Sequence, residues 1–147
     1  MLDIKVKKFD DLHIKELYKL LQLRSEIFVV EQDCVYQDID GKDEKALHVI
    51  GFKNDEVVAY TRIFKPGDYF ENASIGRVAV RSDYRKYGYG KVIMQASIKA
   101  VEERFTRNDI KISAQVYLTK FYNDLGFKAI GEGYLEDGIP HIAMIKK

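Results

Sequence analysis

One α/β domain, with a single mixed and mostly antiparallel sheet flanked by helices, is the architecture this sequence predicts. Three observations carry that expectation. The chain has 147 residues, 46% of them hydrophobic and only two of them proline, the size and composition of one compact domain spanning residues 1–147. Segments of β and helical periodicity follow one another in the order β, α, β, β, β, α, β, α, β, β, with no repeat, low-complexity stretch or dividing linker. Short connections between β runs impose antiparallel pairs, while the strand, helix, strand passage from Ala73 to Val116 favours a parallel one.

The opening DIKVKKF alternates at period two and runs into Asp10 and Asp11, a strand leading to a helix start. Ile14, Leu17, Tyr18, Leu21, Ser25 and Phe28 then recur at three- and four-residue spacing and predict a helix from about His13 to Val30 with that stripe facing the core. Periodicity vanishes from Glu31 to Glu44, where six acids face the single base Lys42, a loop of net charge about −5. Leu47–Lys53 and Val57–Lys65 are β-rich runs joined by a hairpin at Asn54, Asp55 and Glu56. Ala73–Val80 is apolar on both faces and reads as a mid-sheet strand. After the polar turn RSDYRK, Tyr89, Val92, Ile93, Ala96, Ala100 and Val101 predict a helix over Gly88–Phe105, with Asn108 and Asp109 at its exit. A strand Ile110–Val116, a brief helix Leu118–Leu125 stopped by Gly126, and a hairpin of Phe127–Leu135 and Ile139–Ile145 around Glu136, Asp137 and Gly138 complete the chain.

The charge balance narrows the function classes. With 24 basic and 23 acidic side chains, bulk electrostatics gives no drive toward nucleic acid or a membrane surface. No apolar run reaches the roughly 18 residues of a membrane span, and Met1–Phe9 lacks the continuous apolar stretch of a signal peptide. A lone Cys34 forms no internal bridge, so a cytoplasmic setting is the expectation. No metal site is expected either. Asp38, Asp40 and Gly41 resemble part of a calcium loop, but Tyr36 and Leu47 stand at its first and twelfth ligand positions. Cys34 with His13, His48 and His141 has no zinc-like spacing.

The chemistry concentrates in GRVAVRSDYRKYGYGKV, Gly76–Val92. A buried strand leads into a glycine-containing turn that opens a helix, where free backbone N–H groups and the helix dipole can hold phosphate. Five bases against Asp83 give Ser74–Lys91 a local charge of about +4. A P-loop requires glycine at Arg85 and Ser or Thr at Val92, and a dinucleotide fingerprint requires glycine at Ile93; both fail. What is left is Arg85, two residues, Gly88, one residue, Gly90, then an amphipathic helix.

That Arg-x-x-Gly-x-Gly pattern after Val-Ala-Val resembles the coenzyme A pyrophosphate loop of the GNAT family of N-acetyltransferases. The resemblance extends along the chain: TKFYNDLGF at Thr119–Phe127 is similar to the family's second landmark, and FVVEQ, YQDIDG and EDGIPHIAM are similar to its ElaA-like branch. It implies the acyl-CoA N-acyltransferase fold, with acetyl-CoA as co-substrate, no metal, and a small-molecule or peptide amine as acceptor. The backbone of Val78, Ala79 and Val80 would pair with the pantetheine arm, and Arg85, Lys86, Tyr87, Gly88, Tyr89, Gly90 and Lys91 would hold the pyrophosphate. Gln115 stands where many members have asparagine, which puts a pantetheine hydrogen bond there in question. Tyr122 occupies the family's tyrosine position and is the candidate general acid to the leaving sulfur, with a backbone N–H near Val78 or Ala79 for the oxyanion.

The acceptor side is less defined. Glu31, Asp38, Asp40, His48 and His141 are the candidates to bind the amine or take its proton. The acidic Glu31–Glu44 segment is expected to border the acceptor's approach and favour cationic amines by field focusing; the competing reading is a solvated surface loop. Two functions other than catalysis stay open, a CoA-binding sensor and a nucleotide binder of another class. Tyr122 favours the enzyme and the failed phosphate-loop spacings disfavour the nucleotide binder. A homodimer is compatible with the sequence, and nothing in it identifies the acceptor.

Overall fold

The computed structural model describes residues 1–105 and 109–147; the exit signal read at Asn108 lies outside the described residues. Seven strands form one sheet: β1 (Asp3–Lys8), β2 (Leu47–Lys53), β3 (Glu56–Phe64), β4 (Ala73–Val80), β5 (Ile110–Gln115), β6 (Lys128–Glu136) and β7 (Ile139–Lys146). Their order is β1-β2-β3-β4-β5-β7-β6. Every neighbouring pair is antiparallel except β4 with β5, which is parallel. The mixed, mostly antiparallel sheet is thus as expected, and β4 is its central strand. The hairpin between β2 and β3 turns on Asn54 and Asp55, both at positive φ, the geometry whose twist matches the flanking strands.

Helices cover both faces. Along β2 the side chains alternate, Val49 joining the core under α2 (Tyr89–Arg104) and Ile50 the core under α1 (Ile14–Arg24). Both positions are buried, which is why apolar residues stand next to one another in the β-rich runs of β2 and β3. The short α3 (Thr119–Asn123) places Tyr122 in the larger cluster, beside Phe127. Ser97 ties α2 to the sheet through Thr61 Oγ1 at 2.6 Å.

The first helix is turned relative to its expected stripe. Of that stripe, Leu17, Leu21 and Phe28 pack against the core at its edge, whereas Ile14 and Tyr18 are 77% and 73% exposed and Leu20, Leu23, Arg24 and Ile27 form the buried face. Two apolar tracks run along this helix, and the buried one includes an arginine that a hydrophobicity pattern scores as solvent-facing. From Ser25 to Glu31 the chain also continues as a π-helix rather than in α register. In α2, likewise, Val92 is partly exposed and Met94, Ser97 and Ile98 complete the buried face. Among the described residues no helix is long and apolar enough to cross a membrane.

Candidate active site

The site begins where the sheet comes apart. β4 and β5 pair only at Ala73–Ile110 and Ser74–Lys111. Beyond that point the two strands diverge, and Ile75–Val80 have no ladder partner on the β5 side. On its other side β4 carries a bulge: Tyr60 and Arg62 of β3 oppose Ala79 and Gly76, which leaves Arg77 and Val78 against Thr61 alone. Arg77 sits in the left-handed region at φ +50°, at a cost of roughly 1–3 kcal/mol that persists only where the surroundings enforce it.

The cleft between these strands has a volume of about 610 Å³. One end is the glycine turn at the head of α2. Gly88 caps α2 at φ +74°, a conformation glycine takes without steric cost, and a Cβ added there would meet only open space. With no acid in its first turn, the N-terminus of α2 presents the N–H groups of Tyr89, Gly90 and Lys91 unopposed. Arg85 donates from Nε to Val80 O at 3.0 Å and from Nη2 to Glu31 at 2.6 Å, closing this end. The cradle and the unpaired β4 edge fit a pyrophosphate and a pantetheine arm. Val78, Val80, Arg85, Gly88, Gly90, Lys91 and Gln115 all line the cleft. Ala79 instead packs its side chain into the α1 core, and Lys86, Tyr87 and Tyr89 turn away, with Lys86 over the Tyr87 ring and Tyr89 stacked on Tyr84. None of these four side chains lines the cleft.

Tyr122 lines the cleft from α3, buried edge-to-face against Phe121 and Phe127. Burial first, then neighbouring Tyr117, pushes its phenol up to about 12, so the group stays protonated at neutral pH.

The acceptor side departs furthest from expectation. Asp38 and Asp40 belong to a closed ring of three aspartates and three arginines, every N–O distance within 3.5 Å, running Arg24, Asp38, Arg77, Asp40, Arg62, Asp43 and back to Arg24. Arg24 pairs with Asp38 at 2.9 Å and Asp43 at 2.7 Å, and Arg62 with Asp40 at 2.6 Å and Asp43 at 3.0 Å. Burial works against the Asp43 and Asp40 carboxylates, but hydrogen bonds from Arg24 and Arg62 to Asp43, and from Arg62 to Asp40, hold both below the ordinary carboxylate range. Asp38 also anchors the bulge: its Oδ1 lies 2.8 Å from Arg77 Nε and its carbonyl accepts from Arg77 Nη2 at 3.2 Å.

The −5 charge read from Glu31–Glu44 is therefore no open acidic surface. Asp38, Asp40 and Asp43 face arginines in the ring and Glu31 faces Arg85, so the field-focusing argument built on that count is corrected. His48 is corrected too. It is fully buried outside the cleft, Nδ1 2.6 Å from Tyr60 Oη and Nε2 2.9 Å from Asp43 O, and burial pulls its pKa down. Glu31 and His141 do line the cleft.

Sequence reasoning missed the arginines of the ring, and it missed Glu136 as more than a turn residue. Glu136 accepts from Ser113 Oγ at 3.1 Å and lies 3.4 Å from His141 Nε2. Cys34 Sγ, 3.4 Å from Asp137 O, ties the N-terminal segment to the same hairpin. The only signal for the Glu136–His141 contact was their position on either side of the Asp137–Gly138 turn.

Comparison with known proteins agrees with this geometry. The model of the acetyltransferase (GNAT) domain family matches residues 15–147. Over 139 residues the chain is 43% identical to the protein ElaA of Escherichia coli, covering 93% of this chain and 91% of that protein. The crystal structure of an acyl-CoA N-acyltransferase from Pseudomonas aeruginosa superposes with a TM-score of 0.94 at 40% identity, and that of E. coli ElaA with 0.93 at 40%, each covering both chains in full. A sheet opened at its one parallel pair, a glycine cradle at the head of α2 and a matching family model over nine-tenths of the chain lead to one conclusion: this protein belongs to the GNAT acetyltransferase family.

Proposed function

We propose that the protein transfers an acetyl group from acetyl-CoA to a primary amine by direct attack of the amine on the thioester. The observation that carries this reading is the placement of Tyr122 in the same cleft as the bulged, unpaired edge of β4 and the Gly88–Gly90 cradle. In this reading Gly88, Gly90 and Lys91 hold the pyrophosphate, and the free edge of β4 takes the pantetheine as an added strand. The Val78 N–H, released from the β3 ladder by the bulge, stabilises the oxyanion that develops on the carbonyl. Tyr122, kept protonated by burial, gives its proton to the departing sulfur. A binding-only sensor shares the ring packing of Tyr122 but not a need for its hydroxyl, so removing the hydroxyl alone separates the two readings. The acceptor is a small molecule or peptide bearing the amine.

The test is thiol release from acetyl-CoA in the presence of primary amines. Tyr122→Phe keeps the ring packing and is expected to lower kcat by roughly 10²-fold with acetyl-CoA binding nearly unchanged. Gly88→Val strains a left-handed position and fills the phosphate space, and is expected to weaken acetyl-CoA binding by 10-fold or more. Acetyl-CoA binding without thiol release to any amine would leave only the sensor.

A further inference from the structure

The geometry points to His141, backed by Glu136, as the group that takes the proton from the incoming ammonium, and to a cationic primary amine as the acceptor; this rests on the acetyl-transfer reading above. His141 projects from β7, beside Gln115 of β5 and Tyr134 of β6. Its Nδ1 lies 2.7 Å from Ile139 O. A carbonyl oxygen only accepts, so Nδ1 carries its hydrogen whether the ring is neutral or charged, and neutral His141 bears a lone pair on Nε2. That lone pair lies 3.4 Å from Glu136 Oε2. Two acceptors thus face each other on a ring that is nine-tenths buried, an arrangement completed by one proton or by an N–H donor set between them.

The carboxylate is kept in place. Ser113 Oγ, itself bonded to Tyr134 Oη, donates to Glu136 Oε1, and the Tyr134 ring stacks on His141 at 20°. Glu136 and Tyr134 are the titratable groups on β6 against the imidazole, and Gln115 on β5 is uncharged. Across the cleft, Glu31 and Arg77 are engaged with Arg85 and with the aspartates. Of the five acceptor-side candidates, then, Glu31, Asp38 and Asp40 face guanidinium groups and His48 is sealed in the core, while His141 keeps a free lone pair in the cleft.

An alkylammonium is protonated at neutral pH and brings three N–H donors to this pair. One hydrogen bond to Nε2 and one to Glu136 seat it, and the proton on the first passes to Nε2, leaving a neutral amine and a His141–Glu136 ion pair. The amine lone pair forms the C–N bond and the C–S bond breaks. Tyr122 gives its phenolic proton to the sulfur and regains one from the new nitrogen. The proton on His141 leaves to solvent past Glu136, whose side chain is half exposed. The balance is one ammonium and one thioester to one amide, one thiol and one released proton.

The experiment compares butylamine, an ammonium near neutral pH, with trifluoroethylamine, which is already neutral there, in the wild type, His141→Gln and Glu136→Gln. For butylamine, His141→Gln is expected to lower kcat/KM by roughly 10²-fold, with Glu136→Gln intermediate. For trifluoroethylamine the loss is expected to shrink to a few-fold, because no proton has to be removed before attack. Melting temperature and acetyl-CoA affinity report whether a variant has lost its fold. An equal loss with both amines in folded, acetyl-CoA-binding variants overturns the dyad and leaves acetyl transfer standing. No wild-type turnover with either amine counts against the acetyl-transfer reading itself, and an unchanged His141→Gln profile against the dyad alone.

Discussion

Two sets of carboxylates serve the cleft, one from behind, holding the Arg62 and Arg77 of its lining, and one in the lining itself, and they are built in opposite ways. Asp38, Asp40 and Asp43 each meet guanidinium groups in a buried ring whose formal charges cancel. Glu136 instead faces the lone-pair side of a histidine and stays half exposed. The first arrangement spends its charge on architecture: it seats Arg24 in the core and braces the left-handed Arg77 that forms the β4 bulge. The second leaves an unmet demand for a donor. A carboxylate's role in this protein follows from what faces it, and not from the charge density of its segment.

The comparison is broken most forcefully at the ring. Asp43→Asn leaves Arg24 and Arg62 with one carboxylate partner fewer in a buried site, and is expected to cost about 3–5 kcal/mol of stability, the usual consequence of breaking a buried pair. Urea denaturation measures it; a loss under about 1 kcal/mol would mean that the ring is no more than a surface network.

The ring also sets the acid limit of the fold. Asp40 and Asp43 titrate below the usual carboxylate value of 3.8 in the folded protein. Their contribution is therefore complete above that value and is lost as pH falls through the lower folded-state values. The urea midpoint is expected to be flat near neutrality and to drop at acid pH, with a shallower drop in Asp43→Asn. Equal slopes for the two proteins would remove Asp43 from the acid transition.

Glu136→Gln sharpens the contrast from the other side. Removing a half-exposed charge is expected to change stability by about 1 kcal/mol or less, even as acceptor kinetics suffer. A melting temperature depressed as far as that of Asp43→Asn would place Glu136 in the architecture after all.

Glu31 gives the smallest expected effect. Its pair with Arg85 is exposed on both sides, so Glu31→Gln is expected to shift acetyl-CoA affinity by no more than about 5-fold, toward tighter binding as Arg85 is freed, with the difference fading as salt rises. Calorimetry at two ionic strengths decides it, and weaker binding would show that Glu31 positions Arg85 rather than competing for it.

Much of this protein was legible before its structure. β4 runs from Ala73 to Val80 as read, because a strand covered on both faces is apolar on both faces. The glycine cradle was legible because the left-handed cap at Gly88 needs glycine and the spacing to Gly90 rules out its rivals. The first helix was misjudged because burial of Arg24 depends on partners 14 and 19 residues away, and periodicity scores each residue without its partners.

The sequence alone determined what is local or periodic: the order of elements, the hairpins, the glycine turn at the head of α2 and the place of Tyr122 on a short helix. Tertiary structure alone decided what depends on pairing between distant segments. It brought Arg77 to the carbonyl of Asp38, 39 residues away, and closed six alternating charges into a ring. It also folded the β6–β7 hairpin so that Glu136 and His141 meet, Oε2 3.4 Å from Nε2. The physical reason is that a charge acts through its distance to its partners and its loss of water, and both are set only when the chain has closed on itself.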